Sequence, residues 1–328
     1  MSTMKVTRDI STKLLALFGI SAFLVALPNF APGYFTHLLI LFFMYLVLAE
    51  AWNLLYGYVG LCSFGHSAFF GFGAYFTAFS AMNNVPFPFT IVIGGIAASL
   101  LALALSYPLL RLRGAYFAIG MLGLNEILRI YFTNEDTWMH SAWGTTVPIV
   151  YYGVAPYYYI ILAIMASSLL LLHKIVNSTI GYAFLAIREN ETLAETCGIN
   201  IYKYTTLALI ISAFFPGLIG GFYAHYISYF EASDVFNVSL SMSMVVMAIF
   251  GGAGSLEGPI IGTGVLFFVG EILRGMFTYG HLIILAIILI VTCLFMPGGI
   301  IGVIRGTHPL RVPEAIRNML YKISAKSD

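Results

Sequence analysis

Residues 183–204 read AFLAIRENETLAETCGINIYKY, and they interrupt an otherwise apolar chain. Arg188, Glu189, Glu191 and Glu195 put four of the 29 charged side chains within eight positions. On both sides lie apolar runs long enough to cross a bilayer as helices. The stretch therefore reads as a polar segment held between membrane crossings.

Composition assigns the rest of the chain to the same class. Of 328 residues, 60% are hydrophobic and 9% charged, with a mean hydropathy of +0.93. Soluble domains carry roughly 25% charged residues. A soluble fold of this size cannot hide so much apolar surface, so the expected fold class is all-α, a polytopic helical membrane protein. The runs are continuously apolar rather than alternating, which excludes a transmembrane β-barrel. A net charge of +1 gives no signal for nucleic acid. Cys62, Cys197 and Cys293 lie far apart without CxxC or Cys/His spacing. They read as small buried apolar residues rather than disulfide or metal ligands.

The length rule yields about ten spans: 14–30, 34–55, 59–82, 88–110, 114–133, 157–174, 204–229, 237–251, 258–274 and 280–297. Lys5, Arg8 and Lys13 precede the first one in the manner of a signal peptide. The small-residue cleavage pattern is poor around Pro28-Asn29-Phe30, so this span is read as uncleaved. With the N-terminus inside, ten spans return the C-terminus inside. The cytoplasmic pieces then hold 13 of the 15 Lys and Arg, the others being Arg129 and Arg274 near outer span ends. The outer loops 134–156 and 230–236 contain Glu135, Asp136, Glu231 and Asp234 and no Lys or Arg. That asymmetry follows the positive-inside rule. The chain reads as one transmembrane domain over 1–328, with an internal cytoplasmic loop at 174–203 and a basic cytoplasmic tail at 305–328.

Within the loop, Ser178 or Thr179 can cap a helix running through Gly181–Arg188, and Asn190 a second one that Gly198 ends. Leu193, Ala194 and Cys197 would form a small apolar face beside Glu191 and Glu195. Two turns are not stable alone in water. Such a helix needs a surface, supplied by its own membrane domain or by a partner.

The segment GYVGLCSFGHSAFFGFGAYFTAF at 57–79 carries Ser63, Ser67 and Gly71 at every fourth residue, on one helical face. Small residues at this spacing bring helices close in lipid. They also allow a helix to break in mid-membrane, where freed backbone groups meet a solute. Gly94, Ala98, Ala102 and Ser106 form a similar row, read as packing, and Gly217 and Gly221 follow Pro216. GGAGSLEGPIIGTG at 251–264 reads as a turn, with Pro259 in the first turn of the next helix.

Polar residues inside spans each need a reason. Glu126 and Arg129, and Glu271 and Arg274, lie three apart and can form local ion pairs. Glu50 has no evident local partner, which leaves it protonated, paired across helices or facing water. Asn53 and His66 join it as candidates for a polar cavity or for structural hydrogen bonds. Ser63 and His66 are poorly placed for a hydrolase triad. Neither HExxH nor GxxxxGK[ST] occurs, so no catalytic residue or ATP-binding loop is assigned.

Four stretches in order carry a family resemblance: AWNLLYGYVGLCSFGHSAFFGFGAY (51–75), RLRGAYFAIGMLGLNEILR (111–129), AIRENETLAETCGINIYKYTTLALIISAFFPGLIGGFYAHY (186–226) and MAIFGGAGSLEGPIIGTGV (247–265). Over roughly 35–300 the chain resembles the LivM-type permeases of branched-chain amino-acid ABC importers, within the wider group of LivH-type and ribose-type permeases. The resemblance implies a multi-pass subunit in the bacterial cytoplasmic (inner) membrane that forms half of a translocation pathway. Its implied partners are two ATPase subunits that bind ATP and Mg, a second, LivH-type permease and a periplasmic solute-binding protein. It also implies a cytoplasmic helix that docks on an ATPase. Arg188, Glu189, Glu191, Leu193, Ala194, Glu195 and Gly198 fall at that position, although only Ala194 and Gly198 match the EAA---G signature plainly. Glu50, Asn53, Ser63, His66, Ser67 and Gly71 become candidates for the translocation path. Trp138, Trp143, Tyr151 and Tyr152 in the outer loop read as an aromatic belt or as contacts for the binding protein. A permease for sugars, urea or amides, a gradient-driven carrier and a membrane scaffold are the competing readings.

Overall fold

The computed structural model describes residues 24–30, 32–135, 144–276 and 298–306, with single positions at 287, 290, 292 and 296. Most of the first and tenth expected spans, Trp138, Trp143, Cys293 and the tail beyond 306 lie outside the described residues.

The architecture is all-α and multi-pass. Its long helices are α1 (Gly33–Asn53), α2 (His66–Met82), α3 (Phe87–Leu110), α4 (Ala115–Asn134) and α5 (Val154–Val176). After the short α6 (Thr179–Glu189) and α7 (Glu191–Thr196) comes α8 (Ile201–Ile227), then α9 (Ala232–Val235), α10 (Val238–Gly251), α11 (Glu257–Met276) and α12 (Gly299–Ile304). By length and composition, six segments among the described residues can cross a membrane. They are Gly33–Val59, Phe87–Leu110, Val154–Val176, Ile201–Ile227, Ala232–Gly251 and Glu257–Met276. The expected span at 114–133 is the 20-residue α4, made less apolar by Glu126 and Arg129.

The expected span at 59–82 is broken. Its helix starts only at His66 and has 17 residues, so it rises about 25 Å at 1.5 Å per residue. That falls short of a hydrocarbon core of about 30 Å. Residues 60–65, just before it, have no helical structure. Before them, α1 widens into a π-helical stretch at Leu54–Val59, closed by Gly60 at φ +91°. That left-handed conformation suits glycine, which has no Cβ to clash.

At the centre, α2, α3 and α8 touch backbone to backbone. A Cβ added to Gly73 would lie 2.2 Å from the Gly217 carbonyl oxygen, and one on Gly217 would lie 2.4 Å from the Ala98 Cβ. Gly94, Ala98, Ala102 and Ser106 are all buried on the α3 face, as the small-residue row suggests. Without water to drive helices together, close van der Waals contact is the main source of such packing. By contrast α5 buries one stripe, Tyr157, Tyr158, Ile161, Met165, Ser168 and Leu172, and leaves Leu170 and Leu171 exposed. Phe43 of α1 meets Tyr158 on that stripe with ring centroids 5.7 Å apart.

The bundle has two unlike ends. At one, Thr145–Thr146 (β1) pairs antiparallel with Tyr229–Phe230 (β2). There Glu231 and Asp234 form a reciprocal capping box on α9. At the other end lie α6, α7, the 111–114 turn and the 252–256 loop. The 27 residues of α8 separate the ends by about 40 Å.

Candidate functional site

Two sets of residues singled out by sequence occupy distinct places: a surface around α7, and a buried polar seam where α1 breaks.

Ser178 caps α6, its hydroxyl accepting from the Ile180 N–H at 3.2 Å. Asn190 caps α7, its Oδ1 accepting from the Leu193 N–H at 3.0 Å. Gly198 ends α7 at φ +83°, and the Ile199 N–H reaches back to the Ala194 carbonyl at 3.0 Å. Both ends of a six-residue helix are therefore satisfied locally. Its side chains are not covered to match. Ala194 is 3% exposed, whereas Leu193 is 63% exposed. Glu191, Glu195 and Cys197 are exposed too, so the apolar face read from sequence is buried only at Ala194. Glu191 and Glu195 line a groove of about 570 Å³ with Leu61, Leu112, Arg113 and Tyr202.

Arg188 points the other way. Its Nη1 donates to the Gly57 carbonyl at 2.5 Å, inside the π-helical turn of α1. The neighbouring Glu189 is exposed, 3.9 Å from the Arg188 Nε. The residues grouped by sequence as one coupling stretch thus divide into Arg188, whose guanidinium reaches the Gly57 carbonyl while its side chain stays 38% exposed, and the exposed Glu191, Leu193 and Glu195.

The buried seam begins at Asn53. Its Oδ1 accepts from the Gly254 N–H at 2.8 Å and its Nδ2 donates to the Ser255 carbonyl at 2.9 Å. Nδ2 also lies 3.4 Å from Glu50 Oε2. Glu50 is fully buried, and its other oxygen meets no hydrogen-bond donor. Along the non-helical segment, the Ser63 carbonyl accepts from the Trp52 indole at 2.6 Å and the Ser63 hydroxyl lies 2.9 Å from His66 Nδ1. Ser67 bonds both Ser241 on α10 and Asn125 on α4, through its N–H at 2.8 Å and its hydroxyl at 2.9 Å. Asn125 in turn donates to the Phe236 carbonyl at 2.7 Å. A Cβ on Gly71 would strike the Phe236 ring at 2.5 Å. Glu50, Asn53, Ser63, His66 and Ser67 are thus all buried, in three separate hydrogen-bonded sets, and most of their polar atoms bond protein groups. Unpaired backbone in lipid is costly, and these side chains meet part of that demand at the break.

Sequence reasoning did not single out Trp52, Asn125 or Ser241. Asn125 stands beside Glu126 in a span, where any polar residue warrants a reason. Ser241 and Trp52 gave no pattern of their own.

The two ion pairs expected from sequence stand apart from both places. Arg129 Nη2 is 2.5 Å from Glu126 Oε1, and Arg274 Nη1 is 3.2 Å from Glu271 Oε2. Tyr34 on α1 donates to Glu271 at 3.4 Å. No group of three His, Cys, Asp or Glu able to hold a metal occurs among the described residues.

Comparison with known proteins identifies the family. Residues 34–292 match the family described as branched-chain amino acid transport system / permease component. The chain is 25% identical over 295 residues to the high-affinity branched-chain amino acid transport system permease protein LivM of Escherichia coli, covering 80% of this chain and 68% of the relative. It is 23% identical over 267 residues to the probable branched-chain amino acid transport permease protein LivM of Methanocaldococcus jannaschii, covering 69% and 77%. A probable LivH permease of the same archaeon is 30% identical over 156 residues, covering 44% of this chain and 47% of that one. No solved structure matches. With most of its length matched, the chain belongs to the branched-chain amino acid transport system permease family.

Proposed function

We propose that the chain is one of two membrane subunits of an ATP-driven importer for branched-chain amino acids in the bacterial inner membrane. It has ten spans and both termini in the cytoplasm. A LivH-type permease completes the pathway, two ATPase subunits bind ATP and Mg and hydrolyse ATP, and a periplasmic binding protein delivers the solute. Family membership supports the permease role, and the match to a LivH relative supports a related second subunit.

One observation carries the attachment to ATPases: α7 is capped at both ends yet covered by its own chain only at Ala194. A two-turn helix does not persist through local propensity. Its exposed Leu193, flanked by Glu191 and Glu195, suits a partner groove with apolar and basic walls. Glu50, Asn53, Ser63, His66, Ser67 and Gly71 serve the path by fixing the break at 60–65. Backbone groups there and at 252–256 then receive the solute. Solute selection rests largely with the binding protein.

The test is recovery from the native membrane in mild detergent through a C-terminal tag. The expected result is co-purification of Walker-motif ATPases and a second permease, with the ATPases lost on replacing Glu191 and Glu195 together by Lys. Recovery of the chain alone, still carrying solute, would point to a gradient-driven carrier.

A further inference from the structure

Arg188 and Asn53 lie 135 residues apart, yet they fasten two adjoining pieces of backbone, Arg188 the 54–60 turn and Asn53 the 252–256 loop. Arg188 donates from α6 to the Gly57 carbonyl in the π-helical turn at 2.5 Å. Asn53, at the start of that turn, holds both Gly254 and Ser255 of the 252–256 loop. The turn and the loop are pressed together between them. A Cβ on Gly57 would lie 2.4 Å from the Gly254 N, and one on Gly254 would lie 2.5 Å from Arg188 Nη1. Gly254, at φ +87°, lets the loop pass beside the guanidinium. A cavity of about 300 Å³ opens at the same spot, lined by Tyr56, Gly57, Gly60, Arg188, Ile249 and Ala253. It leaves room for the turn to shift. π-helical turns inside α-helices occur often at functional positions, and this one is followed directly by the non-helical segment 60–65.

We propose that Arg188 and Asn53 form one latch that ties α6 and α7 to the 54–60 turn and, through it, to the 252–256 loop, so that displacement of α7 moves the two together. Arg188 is then a positioning residue that transmits force inward, not a docking residue that meets the ATPase. This rests on the reading of α7 as the ATPase-docking helix. The two assignments separate experimentally because docking governs assembly and the latch governs transmission.

The experiment uses the whole assembly, reconstituted in proteoliposomes with its binding protein, and reads labelled leucine uptake, ATP hydrolysis and ATPase stoichiometry. Arg188→Ala is expected to keep the ATPases at wild-type stoichiometry and to keep hydrolysing ATP, while uptake per ATP falls about tenfold, as for a perturbed coupling between sites. Asn53→Ala should do the same, and the double variant should be no worse than either alone, because both break one connection. Loss of the ATPases from Arg188→Ala, uptake per ATP within about twofold of wild type, or independent multiplication of the two losses would overturn the latch. Should a variant fail to insert, the unaltered assembly decides by hydrogen exchange. Trapping with ATP and vanadate should change protection at 54–60 and 252–256 together, and a change at neither or at only one overturns the proposal.

Discussion

Gly220 shows what single residues contribute to this fold. A Cβ there would sit 2.0 Å from the Phe70 carbonyl oxygen and 3.2 Å from the Ala74 N. Both are backbone atoms of α2, so neither can swing aside as a side chain would. Gly220→Ala should therefore push α2 and α8 apart, at the ~1–3 kcal/mol typical of overpacking. Gly264 on α11 is the matched control, with nothing within 4 Å of its added Cβ. In detergent, Gly220→Ala should lower the thermal unfolding midpoint by at least ~2 °C, while Gly264→Ala should leave it unchanged or raise it slightly. Equal midpoints for the two would mean that the α2–α8 approach yields without cost.

Helix ends set the behaviour of the next scale up, and α7 depends on them most. It has six residues and buries one side chain, so the Asn190 cap is a large part of what defines it. Asn190→Ala should remove about 1 kcal/mol of that definition. The expected result is reduced retention of ATPases in the purified assembly with unchanged membrane insertion. Asn190→Asp, which keeps the accepting oxygen, should retain them. Equal retention in the Ala variant would mean that the partner, not the cap, orders the helix. These caps were legible in the sequence because Ser178, Asn190 and Gly198 act through local geometry that their residue types alone imply. The small-residue row at Gly94 to Ser106 was legible for the same reason, since spacing alone puts it on one face. The π-helical turn was not legible. LLYGYV carries no mark that separates a π turn from an α turn, and what surrounds it is tertiary: Arg188 from α6 and the glycine loop beyond α10. The hydrogen bond from Arg188 to the Gly57 carbonyl was hidden likewise, because a charge in a polar loop reads as solvated until the facing carbonyl is known. Leu193 was grouped with Ala194 as one apolar face. On this helix, however, Ala194 alone is buried and Leu193 stays exposed.

Across the whole molecule, charge and architecture agree on direction. Arg111, Arg113, Lys174, Arg188, Lys203 and Arg305 gather at the end that carries α6, α7 and the 252–256 loop. Glu135, Glu231 and Asp234 gather at the opposite end beside the β1–β2 pair, where Arg129 and Arg274 each have a glutamate three residues earlier. A basic excess on one side sets which side stays in the cytoplasm during insertion. The α7 end should therefore face the cytoplasm, as ATPase docking requires. Cys197 offers a native probe of this, being exposed at the end of α7. Tyr152, 90% exposed at the other end, is a site for an introduced one. With Cys62 and Cys293 replaced by serine, a membrane-impermeant maleimide should label Cys197 in inside-out vesicles and not in spheroplasts. Tyr152→Cys, with Cys197 also replaced, should show the reverse. If Cys197 reacts from the outside, α7 faces away from every ATP-binding partner, and both the orientation and the docking role of that helix fall together while family membership stands.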